Sequence, residues 1–271
     1  MGSDIIDKAK YHVVSFSGGK DSTAMLIHML ELGMPVDEIL FCDTGAEFPA
    51  MYEHIRKVEQ YIGQKVTILR ADYDFEYFLF EYKPKYHRSK QENLHENGLS
   101  WPSSHIRWCT RRLKADIIDK HLKELSKRYE LVQYVGIAAD EQHRVKALHY
   151  PLIEWGWTEK DCLEYCKDKG FDWGGLYDVF DRVSCWCCPL AKLEYFRKLR
   201  KHFPDLWDKL LTWQEKTWRD FKPNTPVGKL EIRFAYEDEL GSAPRSRAFF
   251  DEVNRRWEAR KDDAYGSKRS L

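Results

Sequence analysis

Residues 12–22 read His12-Val13-Val14-Ser15-Phe16-Ser17-Gly18-Gly19-Lys20-Asp21-Ser22, and a helical pattern follows them. Two glycines let the backbone turn tightly and aim N–H groups at an anion, and a helix N-terminus adds partial positive charge. Ser17 and Ser22 can donate hydroxyl hydrogen bonds, and Lys20 supplies a charge suited to a polyphosphate. The stretch therefore predicts a strand, a phosphate-binding loop and a helix, in that order.

Two adjacent glycines more often mark a flexible turn at the end of a strand, so the motif needs its context. Here the strand, the lysine, the hydroxyls and the helix all agree, which favours an anion site. The loop is not a Walker A loop, because the Gly-x-x-x-x-Gly-Lys-Ser/Thr spacing is missing.

The composition limits the class of protein. The chain has 271 residues, 43% of them apolar, which is enough for one substantial core with an appended helical piece. Basic and acidic residues number 44 each, so no overall charge draws the chain to nucleic acid or an anionic membrane. With no apolar run of bilayer length and no secretion leader, we expect a cytoplasmic protein without a membrane partner. Seven cysteines then suggest metal, cluster or redox chemistry rather than disulfides.

Strand and helix patterns alternate in the first half of the chain, which is typical of a parallel sheet covered by helices. Strands are predicted at 13–16, 39–42, 66–69 and 131–138, and helices at 22–32, 49–62, 109–128 and 158–170. Residues 73–102 predict a short helix with a long loop, and only helical patterns occur beyond Pro189, near 190–202, 205–221 and 245–259. We predict an α/β fold with a doubly wound, mostly parallel sheet in residues 1–189 and a helical extension in residues 190–271.

Polar segments follow two further predicted strands. Asp43-Thr44-Gly45 comes after the second strand, and a segment from Gly136 to Arg144 with the acidic pair Asp140-Glu141 ends the fourth. Nucleotides bind at the carboxyl ends of parallel strands, so both segments are well placed to contact a nucleotide or a metal beside it. Read alone, they would be an ordinary turn and an exposed charged loop.

Two other segments carry charge or thiols. Arg107 to Lys114 place three arginines, a lysine and Cys109 at the start of a helix, where basic groups oppose the helix dipole and favour an anionic partner. A solvated basic face is the alternative. Ser184-Cys185-Trp186-Cys187-Cys188-Pro189 has the Cys-x-x-Cys spacing of metal and cluster sites. With Cys109 the thiols number four, which suits a [4Fe-4S] cluster or a tetrahedral zinc, whereas Cys42, Cys162 and Cys166 are expected to be small core residues.

Taken together, these segments resemble the phosphoadenosine phosphosulfate (PAPS) reductase family of the adenine nucleotide alpha-hydrolase, or PP-loop, superfamily. The resemblance covers about residues 12–190, and Pro151 to Trp155 and Leu176-Tyr177-Asp178 also fit it. It implies a Rossmann-like fold whose loop holds the phosphates of ATP or the phosphosulfate of an activated sulfate.

The sequence departs from the family pattern at its thiols. Cluster-bearing members carry adjacent cysteines near the basic helix, where this chain has Trp108-Cys109, and Cys187 is extra in the later group. Reductases of the family attack the activated sulfur with a C-terminal cysteine, and no cysteine follows Cys188 in this sequence. The resemblance is therefore less specific for the reaction than for the superfamily branch.

The resemblance implies a PP-loop enzyme of sulfur transfer, which adenylates a substrate with release of pyrophosphate before thiolation. Its expected ligands are ATP or a (phospho)adenylyl sulfate, Mg²⁺, and a sulfur donor or thiol reductant; a nucleic-acid substrate and a homodimer are left open. One alternative is a sulfonucleotide reductase with an atypical nucleophile. Another is a non-catalytic nucleotide-sensing or nucleic-acid-binding module that uses the basic stretches Lys83 to Lys90 and Arg245 to Lys261.

The site residues expected from the sequence fall into three sets. Catalytic roles are expected for Lys20, Asp21, Asp43 and Arg111. Nucleotide binding is expected for Ser15, Phe16, Ser17, Gly18, Gly19, Lys20, Asp21, Ser22, Asp43, Thr44, Gly136, Asp140, Glu141 and Arg144. The expected metal ligands are Cys109, Cys185, Cys187 and Cys188, for a [4Fe-4S] cluster with zinc as the alternative.

Overall fold

The computed structural model describes residues 8–83, 97–146 and 148–268, and the chain divides into two compact units. The first unit contains the chain up to Phe75 together with Arg107–Trp186. The second contains Glu76–Ile106 and the chain from Cys187 onward. This division falls close to the sequence-based boundary at Pro189, but it also assigns the segment Glu76–Ile106 to the second unit.

The strands of the first unit form one four-stranded sheet within the described residues. They are β1 (Lys10–Ser15), β2 (Glu38–Asp43), β3 (Thr67–Arg70) and β4 (Glu130–Val135), in the order β3-β2-β1-β4. Every pairing is parallel, and Val14 of β1 aligns with Ile39 on one side and Tyr134 on the other. The sheet with its flanking helices is a Rossmann-like α/β fold, which confirms the predicted fold class.

The helices connect and follow these strands. In chain order they are α1 (Lys20–Glu31), α2 (Pro49–Ile62), α3 (Phe75–Phe80), α4 (Trp108–Thr110), α5 (Asp116–Ser126), α6 (Pro151–Glu154), α7 (Glu159–Asp168), α8 (Leu176–Val179), α9 (Leu193–His202), α10 (Pro204–Glu215), α11 (Val227–Leu240) and α12 (Arg247–Lys268). A π-helical turn at Arg111–Ala115 joins α4 to α5, and 3₁₀ turns occupy Ala139–Arg144 and Trp173–Gly175. No helix in the described ranges combines the length and the apolar character needed to cross a lipid bilayer.

Local sequence signals explain where several helices begin and end. Pro49 occupies the first turn of α2, and Gly63 closes that helix at a φ of 70°. At α7 the Thr158 hydroxyl accepts the Asp161 amide at 3.3 Å, while the Asp161 carboxylate accepts the Thr158 amide at 2.8 Å. This reciprocal pair is the capping box that the sequence predicts.

Sequence-based expectations differ from the structure at several element boundaries and at one helix. The fourth strand ends at Val135 rather than Ala138, because the Ile137 amide turns back to the Val135 carbonyl at 3.0 Å. Helix α11 lies in a segment for which no helix was predicted. Pro223, Pro226 and Gly228 surround its first residue, and such residues read as a loop when only the sequence is considered.

The second unit has its own aromatic and ionic core. Trp101 packs edge-on against Phe221 with ring centroids 4.9 Å apart, and the Ser100 hydroxyl accepts the Arg219 amide at 2.9 Å. Contacts of this kind, between residues more than 100 positions apart, assign the segment Glu76–Ile106 to this unit rather than to the sheet. Buried Glu237 of α11 accepts hydrogen bonds from Arg197 of α9 and Arg233.

The capping box yields a stability prediction. We expect Thr158→Ala to lower the free energy of unfolding by about 1 kcal/mol, because it removes the hydroxyl that satisfies an amide at the start of α7. Lys160→Ala on the same helix turn is the control, since its exposed ion pair with Glu164 contributes at most about 0.5 kcal/mol. Urea denaturation measures both. Equal losses for the two variants would contradict this account of the helix start.

Candidate anion-binding site

The loop between β1 and α1 is folded on its own hydroxyls. The Ser17 amide donates to the Ser22 hydroxyl at 3.2 Å, and that hydroxyl donates to the Gly19 carbonyl at 3.1 Å. Gly18 has a φ of 76°, and a Cβ there would lie 2.7 Å from the sulfur of Met51. The positive φ therefore favours glycine at position 18, and a Cβ there would also crowd the Met51 side chain.

The loop leaves backbone donors open. Thr23 is the first residue of α1 whose amide bonds within the helix, to Gly19 at 3.0 Å. Within the described residues, the amides of Gly18, Asp21 and Ser22 have no hydrogen-bond acceptor. Unpaired amides at a helix N-terminus attract an anion, because the donors and the helix dipole act together.

Gly136 lies directly against this helix start. A Cβ at Gly136 would stand 2.8 Å from Ser22 Cα and 2.9 Å from the Ser22 nitrogen, both of them backbone atoms. Because β4 neighbours β1 in the sheet, its end brings Gly136 to the loop. The structure thus joins two segments that the sequence separates by more than 100 residues.

A short segment from Trp173 to Tyr177, which we call the brace, holds the loop from outside. The indole N–H of Trp173 donates to the Gly18 carbonyl at 2.7 Å. The Tyr177 hydroxyl accepts the backbone amide of Lys20 at 2.9 Å. Both bonds connect the loop to residues about 155 positions later in the chain, so the brace fixes two points of the loop.

His54 supports the brace from inside the core. Its ring stacks on Trp173 with centroids 4.3 Å apart, and its Nε2 lies 3.0 Å from the Thr23 hydroxyl. The side chain is 1% exposed, and its Nδ1 has no partner among the described residues. Burial lowers the pKa of His54 to about 3, so the ring is neutral at ordinary pH.

Lys20 is buried, and its ammonium group is already paired. Its Nζ lies 2.9 Å from Asp21 and 2.5 Å from Glu159, the first residue of α7. Burial opposes its positive charge, but the attraction of Asp21 and Glu159 outweighs that effect and raises the pKa of Lys20. Burial also raises the pKa of Asp21, against the lowering effect of Lys20. The two carboxylates leave this trio with a net negative charge.

The end of β2 carries a carboxylate whose oxygens are both engaged. One oxygen of Asp43 accepts the Tyr52 hydroxyl at 2.7 Å and the Gly45 amide at 2.9 Å. The other is bound by the Arg70 guanidinium, also at 2.9 Å. Asp43 is buried, so its immediate role is to shape the turn that contains Thr44 and Gly45.

Thr44 belongs to a cluster around Glu47. One oxygen of this buried carboxylate lies 3.3 Å from the Thr44 hydroxyl, 3.4 Å from Lys114 Nζ and 3.5 Å from the Cys185 sulfur. Burial opposes the charge of Lys114, but Glu47 and Cys185 together raise its pKa. One anionic partner expected for the basic helix is therefore a carboxylate of the chain itself. Arg111, by contrast, is 81% exposed and faces Asp116 of the same helix at 3.7 Å.

The remaining nucleotide candidates lie in the 3₁₀ turn after β4 and at the end of β1. Asp140 accepts the Glu159 amide at 3.2 Å, which connects it to the partner of Lys20. Glu141 pairs with Arg144 and lies 3.7 Å from Arg182. Ser15 aligns with Leu40 and Val135 in the sheet, and the Phe16 side chain is buried in the core while its amide bonds to Leu40.

The predicted metal ligands are divided between the units. Cys109 and Cys185 belong to the first unit, and Cys187 and Cys188 begin the second. Among the residues the structure describes, no three His, Cys, Asp or Glu side chains stand close enough together to hold a metal ion. The [4Fe-4S] cluster and zinc therefore stay sequence-based predictions. Of the other thiols, Cys162 and Cys166 are buried and Cys42 partly so.

In the described residues of the second unit, the basic stretches and a cavity carry arginines that pair with carboxylates. Of Lys83 to Lys90, only Lys83 lies in the described ranges. In Arg245 to Lys261, Arg255 and Arg256 pair with Glu252 on α12. A cavity of about 530 Å³ is lined mainly by α9 and α11, but its arginines are bound to carboxylates, as Arg197 is to Glu237.

Comparison with known proteins assigns the chain to a family. The family model described as the phosphoadenosine phosphosulfate reductase domain matches residues 11–191, which is two thirds of the chain. The chain belongs to the PAPS reductase family. The match covers the sheet, the loop, the Gly136 segment and the brace, all of which the first unit contains. The resemblance inferred from the sequence is confirmed.

Relatives of this PAPS reductase-family protein are distant. An uncharacterized protein of Methanocaldococcus jannaschii, MJ0066, is 28% identical over 80% of this chain and 43% of its own length. An adenosine 5'-phosphosulfate reductase of Bacillus cereus is 24% identical over 61% of this chain and 68% of its own length. The crystal structure of a PAPS reductase from Candida auris, in a phosphate complex, has a TM-score of 0.45 and 20% identity, over 67% of this chain and 83% of that one. The chain spans less than half the length of the two M. jannaschii relatives it matches.

Several residues of this PAPS reductase-family site were not singled out from the sequence. Trp173 and His54 lacked any motif of their own, Glu159 was noted only within the capping-box segment, and Tyr177 was noted only as part of a family segment. Three successive residues of the brace, Trp173, Gly174 and Gly175, have φ values of 51°, 61° and 82°. The Gly-Gly pair after Trp173 was the one available signal of such a turn.

The close approach of Gly136 gives the first prediction for this site. We expect Gly136→Ala to weaken pyrophosphate binding at least tenfold, because the added methyl group must displace the backbone of Ser22. Gly33→Ala is the control: its φ is 66° and its surroundings are open, so it should cost about 1–2 kcal/mol of stability and leave the affinity unchanged. Calorimetric titration and urea denaturation measure the two quantities. Wild-type affinity in Gly136→Ala would contradict the assigned geometry.

The neutral His54 gives a prediction about pH. In the unfolded chain a histidine titrates near pH 6.5, so as pH falls the unfolded state binds this proton before the folded state does. Stability from the neutral ring is therefore complete above about pH 6.5 and falls toward pH 3, by up to about 1.4 kcal/mol per pH unit.

His54→Phe removes this titration and keeps an aromatic ring against Trp173. Urea denaturation at about pH 4.5 and about pH 7 should show a smaller loss on acidification in the variant than in the wild type. His143→Gln, at an exposed position, should keep the wild-type slope. Parallel pH profiles for wild type and His54→Phe would show that His54 does not cause this dependence.

Proposed function

We propose that the first unit binds the phosphate groups of ATP or a related adenine nucleotide at the β1–α1 loop, in an enzyme of sulfur transfer. The supporting observation is the set of open amides at Gly18, Asp21 and Ser22. The loop follows β1, which has β2 on one side and β4 on the other. The chain continues from β1 to β2 on one side and later reaches β4 on the other. In open α/β sheets, ligands bind at the carboxyl edge beside such a change of direction.

The reaction we propose is adenylation of a substrate before its thiolation. A substrate oxygen attacks the α-phosphorus of ATP, the bond to the bridging oxygen breaks, and pyrophosphate leaves with the bonding electron pair. The chain contributes mainly position and charge, since the amides at the start of α1 face the negative oxygens. A sulfide-level sulfur nucleophile from a sulfur donor then attacks the activated carbon, a carbon–sulfur bond forms, and AMP leaves with the electron pair of the broken carbon–oxygen bond.

Asp21 is better suited than Asp43 to assist a magnesium ion. Mg²⁺ commonly uses one or two carboxylates together with substrate phosphates, and it neutralises charge on those phosphates. Asp43 is bound on both oxygens by Arg70, Tyr52 and the Gly45 amide. The Asp21 side chain is 22% exposed, and both of its oxygens contact a single group, the Lys20 ammonium, which Glu159 shares. Because it has one partner rather than three, Asp21 is the carboxylate we assign to the ion.

Sulfonucleotide reduction is less well supported by the thiols. It needs a thiolate that reaches the activated sulfur. Burial raises the pKa of Cys42, and its sulfur donates to the Leu113 carbonyl at 2.9 Å, so this thiol is held in its protonated form. Sulfonucleotide reduction is still the alternative to test, because some relatives are named as adenosine 5'-phosphosulfate reductases.

The decisive experiment compares nucleotides on the anaerobically prepared full chain. Calorimetry with ATP, AMP and adenosine 5'-phosphosulfate, each with and without MgCl₂, identifies the ligand, and a coupled assay detects pyrophosphate release. Tight ATP binding with pyrophosphate formation supports adenylation, whereas sulfite release from adenylyl sulfate with thioredoxin supports reduction. If none of the three nucleotides binds, the proposed function is wrong.

Replacement of Lys20 gives a prediction for this function. We expect Lys20→Met to weaken ATP binding at least tenfold, because it removes a buried cation and leaves Asp21 and Glu159 to repel the phosphates. Lys65→Met is the control, since Lys65 is 89% exposed and pairs with Glu59, away from the loop residues named here. Circular dichroism confirms folding of both. Unchanged ATP affinity in Lys20→Met would place the phosphates elsewhere.

A further inference from the structure

The Tyr177 hydroxyl stands at the first turn of α1. It accepts the Lys20 amide at 2.9 Å, and a Cβ added to Gly19 would lie 3.4 Å from the same oxygen. The next two amides of the helix, those of Asp21 and Ser22, are open within the described chain. The hydroxyl therefore lies against the same backbone turn whose open amides would face an anion.

The hydrogen-bond capacity of this hydroxyl is only partly used. A phenol oxygen can accept hydrogen bonds and also donates its own proton. Across the described residues, the single hydrogen bond of Tyr177 is the one it accepts from Lys20, so its proton has no acceptor. Burial raises the pKa of Tyr177, so the proton is retained at neutral pH.

The position of the hydroxyl is fixed by the rest of the brace. Trp173 is 1% exposed, stacks on His54 and donates to the Gly18 carbonyl at 2.7 Å. The left-handed turn Trp173–Gly175 leads directly into α8, which carries Tyr177. A donor held in this way loses little conformational freedom when a ligand binds, which favours a direct role in binding.

We propose that Tyr177 donates its hydroxyl proton to an oxygen of the phosphate or sulfate group bound at the loop. This inference rests on the proposed function. It adds a neutral donor to the backbone amides, at a place where the charge of Lys20 is already balanced by Asp21 and Glu159. Tyr177 is then an anion-binding residue, supplied by a segment that follows the loop by about 155 positions in the chain.

Tyr177→Phe tests the donor. We expect affinity for pyrophosphate and for ATP to fall about tenfold, since a hydrogen bond to a charged acceptor is lost, whereas affinity for adenosine stays unchanged. Tyr165→Phe is the matched control, because that hydroxyl bonds to Glu31 on the outer part of α1 and should not affect anion binding. Circular dichroism and the thermal midpoint confirm that each variant is folded.

A fluorinated tyrosine separates direct binding from support of the loop. Fluorine makes the phenol a stronger donor and a weaker acceptor. Incorporation of 3-fluorotyrosine at position 177 should therefore tighten pyrophosphate binding if the proton reaches the anion. It should weaken binding if the oxygen serves only to accept the Lys20 amide.

The outcomes separate this inference from the proposed function. Wild-type protein that binds ATP and pyrophosphate, with Tyr177→Phe equally tight, overturns the role of Tyr177 alone. Weaker binding in the fluorotyrosine protein also overturns it, leaving Tyr177 as a support of the loop. Wild-type protein that binds neither ATP, adenosine 5'-phosphosulfate nor pyrophosphate overturns both proposals.

Discussion

The site depends on one constraint: the turn after β1 must keep backbone amides unpaired and still hold a single shape. A loop that satisfied all its donors internally would have none left for an anion. Here the serine hydroxyls tie the turn together, while the amides of Gly18, Asp21 and Ser22 stay open within the described residues. Rigidity must therefore come from outside the loop, through neighbouring segments that contact its carbonyl groups, its other amides and its Cα atoms.

Three segments of the first unit provide this support. Met51 fills the space beside Gly18, Gly136 lies against the backbone of Ser22, and the brace bonds to both ends of the Gly18–Lys20 turn. His54 belongs to α2 and stacks on Trp173, so α2 also supports the brace. We therefore expect a change in any of these contacts to alter the loop without touching a ligand.

The positive charges of the site are paired with carboxylates, although the lysine of its motif alone indicates a basic site. Lys20 is neutralised by Asp21 and Glu159, and Lys114 of the basic helix is neutralised by Glu47. In the proposed function, phosphate recognition would therefore depend mainly on fixed dipoles, which need no counter-charge and keep their orientation before a ligand arrives. The negative surplus beside the loop also favours a bound cation together with the phosphates, in agreement with the role proposed for Asp21.

The sequence alone determined the alternation of strands and helices in the first half of the chain, the glycine turn and the family, because these depend on local periodicity and on residues adjacent in the chain. It also predicted the capping box of α7, whose partners are three residues apart. Only the tertiary structure decided that Asp43 is locked by Arg70, that Arg111 is exposed, and that Trp173, Tyr177 and Glu159 reach the loop. Such contacts join positions 27 to 157 residues apart, and their geometry is set by how the strands and helices pack, which no local pattern records.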